Sequence, residues 1–570
     1  MTPGACNCVC QGIGHPQRRR LGKSNASIEH SFHNSSTNNL PLHKSLFLLL
    51  FLLYIPLFPF LSTRSGHISP VRVSIDRSGR VRRAHCSTLL DRVPPCRPRQ
   101  MRRQSMNEGH SLAFFVWFVS LLVGCFLIGR IVPEPYMDEI FHVRQTQQYW
   151  AGNWKHWDSK ITTPPGLYLL GWLVCWFARG LGTLDDDVCD ARTLRLVNTL
   201  GALVCLAMFV RIRHKRTKEE RTSGNNNVLL HAVTLAMYPF HFFYCLIYYT
   251  DVWSTVFVLL AYSFGTEGNC WISAMFGTCS LLMRQTNIFW FCFISAVSLR
   301  RFLIRSSQVH RKNALKNHFH SPLQEIGLLL ALAWRKRFQV VYLFFPHGVL
   351  VCGFLALLYL NGGVVLGDRS AHAVSFHPTQ LLYLALVFST TRIFSSLKVL
   401  ASGLTCIFDF ARKKPVTFSA ISVGMIFFLF FIIKEYTIYH PFLLADNRHF
   451  TFYFRRKILD GLPAGKYLMI PMYLISLVHI SGEWRRSKLP FLEKMAWLVS
   501  TSLSVILSPL VELRYFNIPV ILMLLLFTPT NDRNDWLSSV QYFFVNAIVL
   551  FAFLFRPFNW PDGSVARFIW

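Results

Sequence analysis

Charge is scarce in this chain, and negative charge scarcest: 15% of its 570 residues are charged, with 28 Asp and Glu against 59 Lys and Arg. With 52% of residues hydrophobic, that shortage excludes an ordinary soluble domain. No period-2 alternation of apolar and polar residues runs through the chain, which excludes a membrane β-barrel and leaves a helical bundle. The 15 cysteines lack paired CxxC spacing, so thiols inside apolar runs serve as small hydrophobes. The CNCVC cluster (Cys6, Cys8, Cys10) lacks histidine partners and the spacing of a zinc site. The net charge of +31 is not carried by a basic module interleaved with aromatics, so nucleic acid is not the expected partner. An inverted repeat and a matched pair of broken helices are also missing. A transporter or channel-associated subunit using membrane-buried Asp, Arg and His therefore stands as the alternative reading.

What the chain does have is a series of apolar runs of about 15 to 22 residues, each near the length needed to cross a hydrocarbon core of about 30 Å. They lie at 111–132, 192–210, 228–249, 252–266, 271–283, 285–299, 338–361, 381–400, 416–433, 467–480, 495–510, 516–528 and 539–555. The expected architecture is all-α, a polytopic bundle of about 12 to 13 spans. Residues 1–105 differ: they are rich in Arg, Ser, Asn and Pro, broken by one apolar segment at 45–61. They are expected to be a disordered or non-native extension, with the working domain at 106–570 and a natural start near Met101 or Met106.

Basic residues mark topology. If 166–182 lies along the interface rather than spanning, the basic loops 211–221, 300–337, 411–415 and 483–494 all share the cytoplasmic side. The opposite side then collects nearly every unusual polar residue of the chain. In MDEIFHVRQ, Asp138 and His142 are i, i+4 and Glu139 is one position round. These residues suit either a helix cap or a general base, whose pKa a dry setting raises; a metal site would need a third ligand. WDSKITTPPGLY holds Trp157 and Asp158, and Pro164 and Pro165 shape it into a loop that either connects or walls a pocket. LLMRQTNIFW places Arg284 and Asn287 between apolar halves; an arginine there needs a phosphate or a structural partner such as Asp251. HPFLLADNRHFTFYFRRK adds Asp446, Asn447, Arg448, His449 and Arg455, cations that topology does not explain and a phosphate or solvent does. GDRSAHAVSFHPTQ contributes Asp368, Arg369, His372 and His377, and VELRYFNIP contributes Glu512 and Arg514.

In this order and spacing, PYMDEIFHVRQTQQYW, WDSKITTPPGLY, RQTN, GDRSAH with HPTQ, HPFLLADNRHFTFYFRR and ELRYFNIP closely resemble the dolichyl-phosphate-glucose-dependent alpha-1,2-glucosyltransferases of the endoplasmic reticulum. The resemblance covers roughly residues 110–570. It implies a multi-pass membrane enzyme of the GT-C class with its active site in lumenal loops. It also implies a base in the first lumenal loop, which lands on Asp138 with Glu139 as fallback and His142 as orienting neighbour. The implied substrates are dolichyl phosphate glucose and a dolichyl-diphosphate-linked oligosaccharide, to which the terminal glucose for N-glycosylation is added.

A β-linked donor and α-linked product mean inversion, which needs one base. The leaving phosphate is a stable anion that cations stabilise, expected from Arg284 first and then Arg448, His449 and Arg455. Substrate contacts are expected from Trp157, Asp158, Asp251, Asn287, His372, His377, Asp446, Asn447, Glu512 and Arg514. No cofactor and no metal are expected.

Overall fold

Helix breakers, more than helix formers, organise this chain. The computed structural model describes residues 98–180, 188–219, 228–307, 321–367, 374–529 and 531–570. The Cys6–Cys10 cluster, the run at 45–61, and Asp368, Arg369 and His372 lie outside them.

The first helix, α1 (Pro98–Ile131), ends before Pro133 and Pro135. It is followed by α2 (Glu139–Trp150), α3 (Gly166–Gly180), α4 (Ala191–Glu219), α5 (Val228–Ala236), α6 (Pro239–Tyr244), α7 (Asp251–Glu267), α8 (Cys270–Met283) and α9 (Asn287–Arg305). Beyond these come α10 (Pro322–Arg335), α11 (Arg337–Asn361), α12 (Thr379–Thr391), α13 (Ile393–Lys413) and α14 (Pro415–Tyr436). After short helical turns at 441–468, α15 (Ile470–Arg486), α16 (Phe491–Ile506), α17 (Asn517–Leu526) and α18 (Asp532–Phe555) complete the bundle. A two-residue hairpin, Phe558–Asn559 with Val565–Ala566, is the one sheet among the described residues.

Among the described residues, seven helices are long and apolar enough to cross a membrane: α1 from Ser111, α4, α9, α11, α13, α14 and α18. Several other expected spans are shorter or divided. Pro239 cannot continue the helix through 228–249, so α5 stops and α6 restarts with that proline in its first turn. The run 381–400 divides at Arg392, whose guanidinium pairs with the buried Asp535 carboxylate at 2.9 Å. The stretch expected at the interface is α3, 15 residues long. At about 22 Å it is too short to cross a 30 Å core.

Two cysteines depart from the reading as small hydrophobes: Cys175 on α3 and Cys189, just before α4, form a disulfide. At the end of the bundle that holds α2, the loops are bonded to one another. Gln285 donates to the Thr162 carbonyl at 2.8 Å, Asp138 N–H to the Tyr249 hydroxyl at 3.1 Å, and Ile569 N–H to the Arg448 carbonyl at 2.9 Å.

Candidate active site

The chain bends hard just before its key acid. Met137 has φ of +58°, a left-handed conformation that costs a non-glycine residue roughly 1 kcal/mol or more. Asp138 follows at the N-cap position of α2, yet its side chain makes no capping bond. A cap there is worth about 1 kcal/mol; the carboxylate turns instead to Arg514, whose Nη1 donates to Oδ2 at 3.0 Å. The side chain is thus bonded to a loop arginine rather than to its own helix.

Glu139 is different. Its carboxylate accepts from Arg195 Nε at 2.9 Å and Nη2 at 2.6 Å, from Tyr248 N–H at 2.7 Å and from Tyr136 N–H at 3.0 Å. It is fully buried, and four donors occupy its oxygens. Glu139, the fallback base of the sequence reading, thus has both oxygens engaged by the turn and its neighbours. Arg195 also donates to the carbonyls of Val132 and Glu134, so one guanidinium clamps the whole turn that carries Asp138.

His142, one turn along α2, is buried. Its Nδ1 lies 2.9 Å from the Tyr168 hydroxyl, and its ring sits edge-on to Tyr249 with centroids 5.8 Å apart. Burial pushes its pKa down to about 4 against the opposing pull of Asp138, so the imidazole is neutral at physiological pH. Asp138 behaves oppositely to the expectation of a raised base. Burial alone would raise it, but Arg514 and then His142 outweigh burial and hold the carboxyl below its ordinary range.

The loop before α17 supplies Glu512 and Arg514. Arg514 Nε donates to Glu512 Oε2, so this guanidinium joins two carboxylates. Its Cζ lies 5.5 Å from the Tyr249 ring centroid and 5.7 Å from that of Tyr515. Tyr515 is also faced by Arg284 at 5.2 Å, so one aromatic ring contacts both cations. Arg284 ends α8 in an extended conformation and pairs with Asp251 at 3.1 Å, the side chains being 14% and 1% exposed respectively. The structural partner weighed for Arg284 is thus present, behind it. Asp251 Oδ2 is buried and has no hydrogen-bond partner among the described residues.

A second group borders the first. Arg448 clasps Asp446 through Nε and Nη2, both at 2.8 Å, and lies over the Trp560 ring at 4.6 Å. Asn447 accepts from Trp560 Nε1 at 2.9 Å. His449 Nδ1 is 2.6 Å from the backbone oxygen of Trp570. Trp157 packs edge-on against Tyr168 at 5.9 Å, and Asp158 is held by its N–H bond to Gln145 at 3.1 Å.

Three expected residues have their polar groups engaged within the protein. Asn287 is buried and spends its amide hydrogens on Ser254 Oγ and the Ser280 carbonyl, both at 2.7 Å. His377 is fully buried, its backbone N–H bonded to the Ile506 carbonyl at 2.8 Å. Arg455 pairs with Asp460 at 2.8 Å and lies over Tyr439. Conversely, Arg195, Tyr248, Tyr249 and Tyr515 escaped the sequence reading. The signal available for two of them is the YYTD stretch at 248–251, three hydroxyls and an acid at the head of an apolar run.

Comparison with known proteins places this geometry in a lineage. The chain is 30% identical to a human protein named Dol-P-Glc:Glc(2)Man(9)GlcNAc(2)-PP-Dol alpha-1,2-glucosyltransferase, over 79% of this chain and 97% of that one. Proteins of the same name from Arabidopsis thaliana (29% identity, 80% and 98% covered) and Candida glabrata (31%, 78% and 89%) are similar to it too. No solved structure matches. The model of the DIE2/ALG10 family matches residues 132–525, a span that includes Asp138, Asp251, Arg284, Arg448 and Arg514. The chain is a multi-pass helical membrane protein and belongs to the DIE2/ALG10 family.

Proposed function

We propose that this protein transfers glucose from dolichyl phosphate glucose to the diglucosylated lipid-linked oligosaccharide with inversion, forming the terminal alpha-1,2 linkage. Residues 106–570 are the transferase domain in this reading. The single observation that carries the mechanism is the uncapped Asp138 side chain, bonded to Arg514 among the site loops. The acceptor oxygen attacks the anomeric carbon, the bond from that carbon to phosphate breaks, its electron pair leaves with the phosphate, and the acceptor proton passes to Asp138. A carboxylate with a depressed pKa suits a late proton transfer, because the hydroxyl becomes acidic only as it bonds to the oxocarbenium-like centre. Arg284, anchored from behind by Asp251, turns its remaining N–H donors to the leaving phosphate, with Arg448 and His449 at the rim.

In this reading the site faces the lumen of the endoplasmic reticulum. This is supported by the Cys175–Cys189 disulfide beside it, which belongs in an oxidising compartment, and by the basic loops at the opposite end. The test is reconstitution of the full chain in liposomes with donor and diglucosylated acceptor. One alpha-linked glucose is added, at an unchanged rate in excess chelator, because the phosphate leaves without a Lewis acid. Loss of transfer in chelator, restored by a divalent ion, sinks the metal-free mechanism, and absence of transfer sinks the function.

Electrostatics give a second prediction. Asp138 is active when ionised, so activity is lost as pH falls through its folded pKa, which Arg514 holds below the ordinary value of about 3.9. The wild-type kcat/KM is therefore flat from about pH 5 to pH 7. In Arg514→Met the burial effect is no longer outweighed and the acidic limb moves upward. A limb that stays in place in the variant refutes the coupling.

A further inference from the structure

The end of the bundle away from the candidate site holds a small hollow of mixed character. α8 runs from Cys270 to Met283, so its first turn lies about 20 Å from Arg284. Around that turn, α7, α9 and α11 enclose a volume of about 290 Å³. Arg305 stands at its mouth, Phe302 and Phe344 form an apolar wall, and Gly265 and Ser298 lie deeper.

Two of these groups have bonding capacity that the protein does not use. Arg305 carries five N–H donors and makes one bond, from Nη1 to the Thr266 carbonyl at 2.9 Å, and it meets no carboxylate among the described residues. Ser298 is only 2% exposed, yet its Oγ has no hydrogen-bond partner among the described residues. A Cβ on Gly265 would stand 2.7 Å from that oxygen, so the missing side chain at 265 keeps the depth of the hollow open. The one acid in the lining, Glu267, is already held by Arg211 at 2.9 Å and Lys215 at 3.5 Å. Lys336 Nζ, bonded to the Ser306 carbonyl at 3.2 Å, brings a further cation to the mouth. Four cations thus surround one carboxylate, and the hollow is suited to an anion.

We propose that this hollow seats an anionic glycerophospholipid from the leaflet opposite the candidate site, its phosphate on Arg305 and Lys336 and an ester carbonyl accepting a hydrogen bond from the Ser298 hydroxyl. The inference is independent of the transfer reaction. Ser298 lies about 10 Å along α9 from Arg305, so one ligand must be anionic at one end and an acceptor further in. Phe302 and Phe344 between them favour hydrocarbon, which a phospholipid supplies beyond its esters. A free phosphate would occupy the mouth alone and leave the buried hydroxyl unmet. A choline headgroup would bring its own positive charge against Arg305 and Lys336.

Ser298→Ala separates binding from folding. The hydroxyl has no bond to lose in the lipid-free protein, so there the variant melts no lower than wild type. In the full chain, stripped of lipid in detergent, dioctanoyl phosphatidic acid raises the melting temperature, and its concentration dependence gives the affinity. Arg305→Gln weakens that affinity about tenfold and Ser298→Ala about threefold, whereas Arg335→Gln, at an exposed cation outside the lining, changes it by less than about twofold. Lys336→Gln gives a similar loss and serves where Arg305→Gln fails to fold. Dioctanoyl phosphatidylcholine binds at least about tenfold more weakly than phosphatidic acid, and inorganic phosphate at equal concentration gives no rise. Equal losses in Arg335→Gln and Arg305→Gln reduce the attraction to diffuse surface charge, and inorganic phosphate acting as well as the lipid makes this a free-anion site. Equal binding of phosphatidylcholine removes the role of the cations, and wild-type affinity in Ser298→Ala removes the ester contact. Each of these results overturns the proposal.

Discussion

Asp138→Asn lowers glucose transfer by about 10²- to 10⁴-fold, the range lost when a positioned general base is removed, while the protein keeps its fold. Asparagine preserves the size of the side chain and an oxygen for Arg514 Nη1, and Arg514 retains its bond to Glu512. The substitution therefore does not strand a buried charge, the usual route by which a site variant unfolds. The N-cap position also loses nothing, since the aspartate side chain makes no capping bond. In the proposed mechanism the donor phosphate is received elsewhere, at Arg284, so the loss falls on kcat with little change in donor KM. Initial rates at saturating donor and acceptor, read beside a melting curve, check this. An Asn variant within about threefold of wild type removes Asp138 as the base.

The same region shows what a sequence can and cannot reveal. Proline punctuation and apolar runs located most helices, because those signals act within a few residues. Asp138 was legible as a candidate, an acid beside an apolar run, whereas its choice between a capping bond and Arg514 was not. That choice depends on the Met137 backbone and on Arg514, 376 positions away. Glu139 illustrates the limit: beside Asp138 in sequence it has equal chemistry, and only its partner 56 positions on assigns it to structure. Cys175 and Cys189 pair because the chain between α3 and α4 returns on itself, which their spacing of 14 does not dictate.

The expected cations came out paired rather than free. Arg284, Arg448, Arg455 and Arg514 each meet a carboxylate. This follows from the cost of carrying unpaired charge at the edge of a membrane. Pairing does not disqualify an arginine from binding phosphate, since a guanidinium has five N–H donors and a bidentate carboxylate takes two. It does alter the meaning of the scarce acids: three of them, Asp251, Asp446 and Glu512, pair with arginines.

Arg195→Ala is expected to destabilise the fold by about 3–5 kcal/mol, the cost of removing one partner from a buried ion pair. Both side chains are at most 5% exposed, so Glu139 would be left charged in an apolar setting with only the backbone N–H groups of Tyr136 and Tyr248 as donors. The Val132 and Glu134 carbonyls lose their donor at the same time, freeing the strained turn that presents Asp138. Transfer should then fall through kcat even under conditions where the variant remains folded. Pairing the change with Glu139→Gln removes the stranded charge, so the double variant Glu139→Gln/Arg195→Met should be more stable than Arg195→Ala alone. Thermal denaturation in detergent, followed by tryptophan fluorescence, distinguishes these cases. An Arg195→Ala protein that melts with wild type would mean that the turn is held by its backbone alone, and the positioning role of Glu139 would go with it.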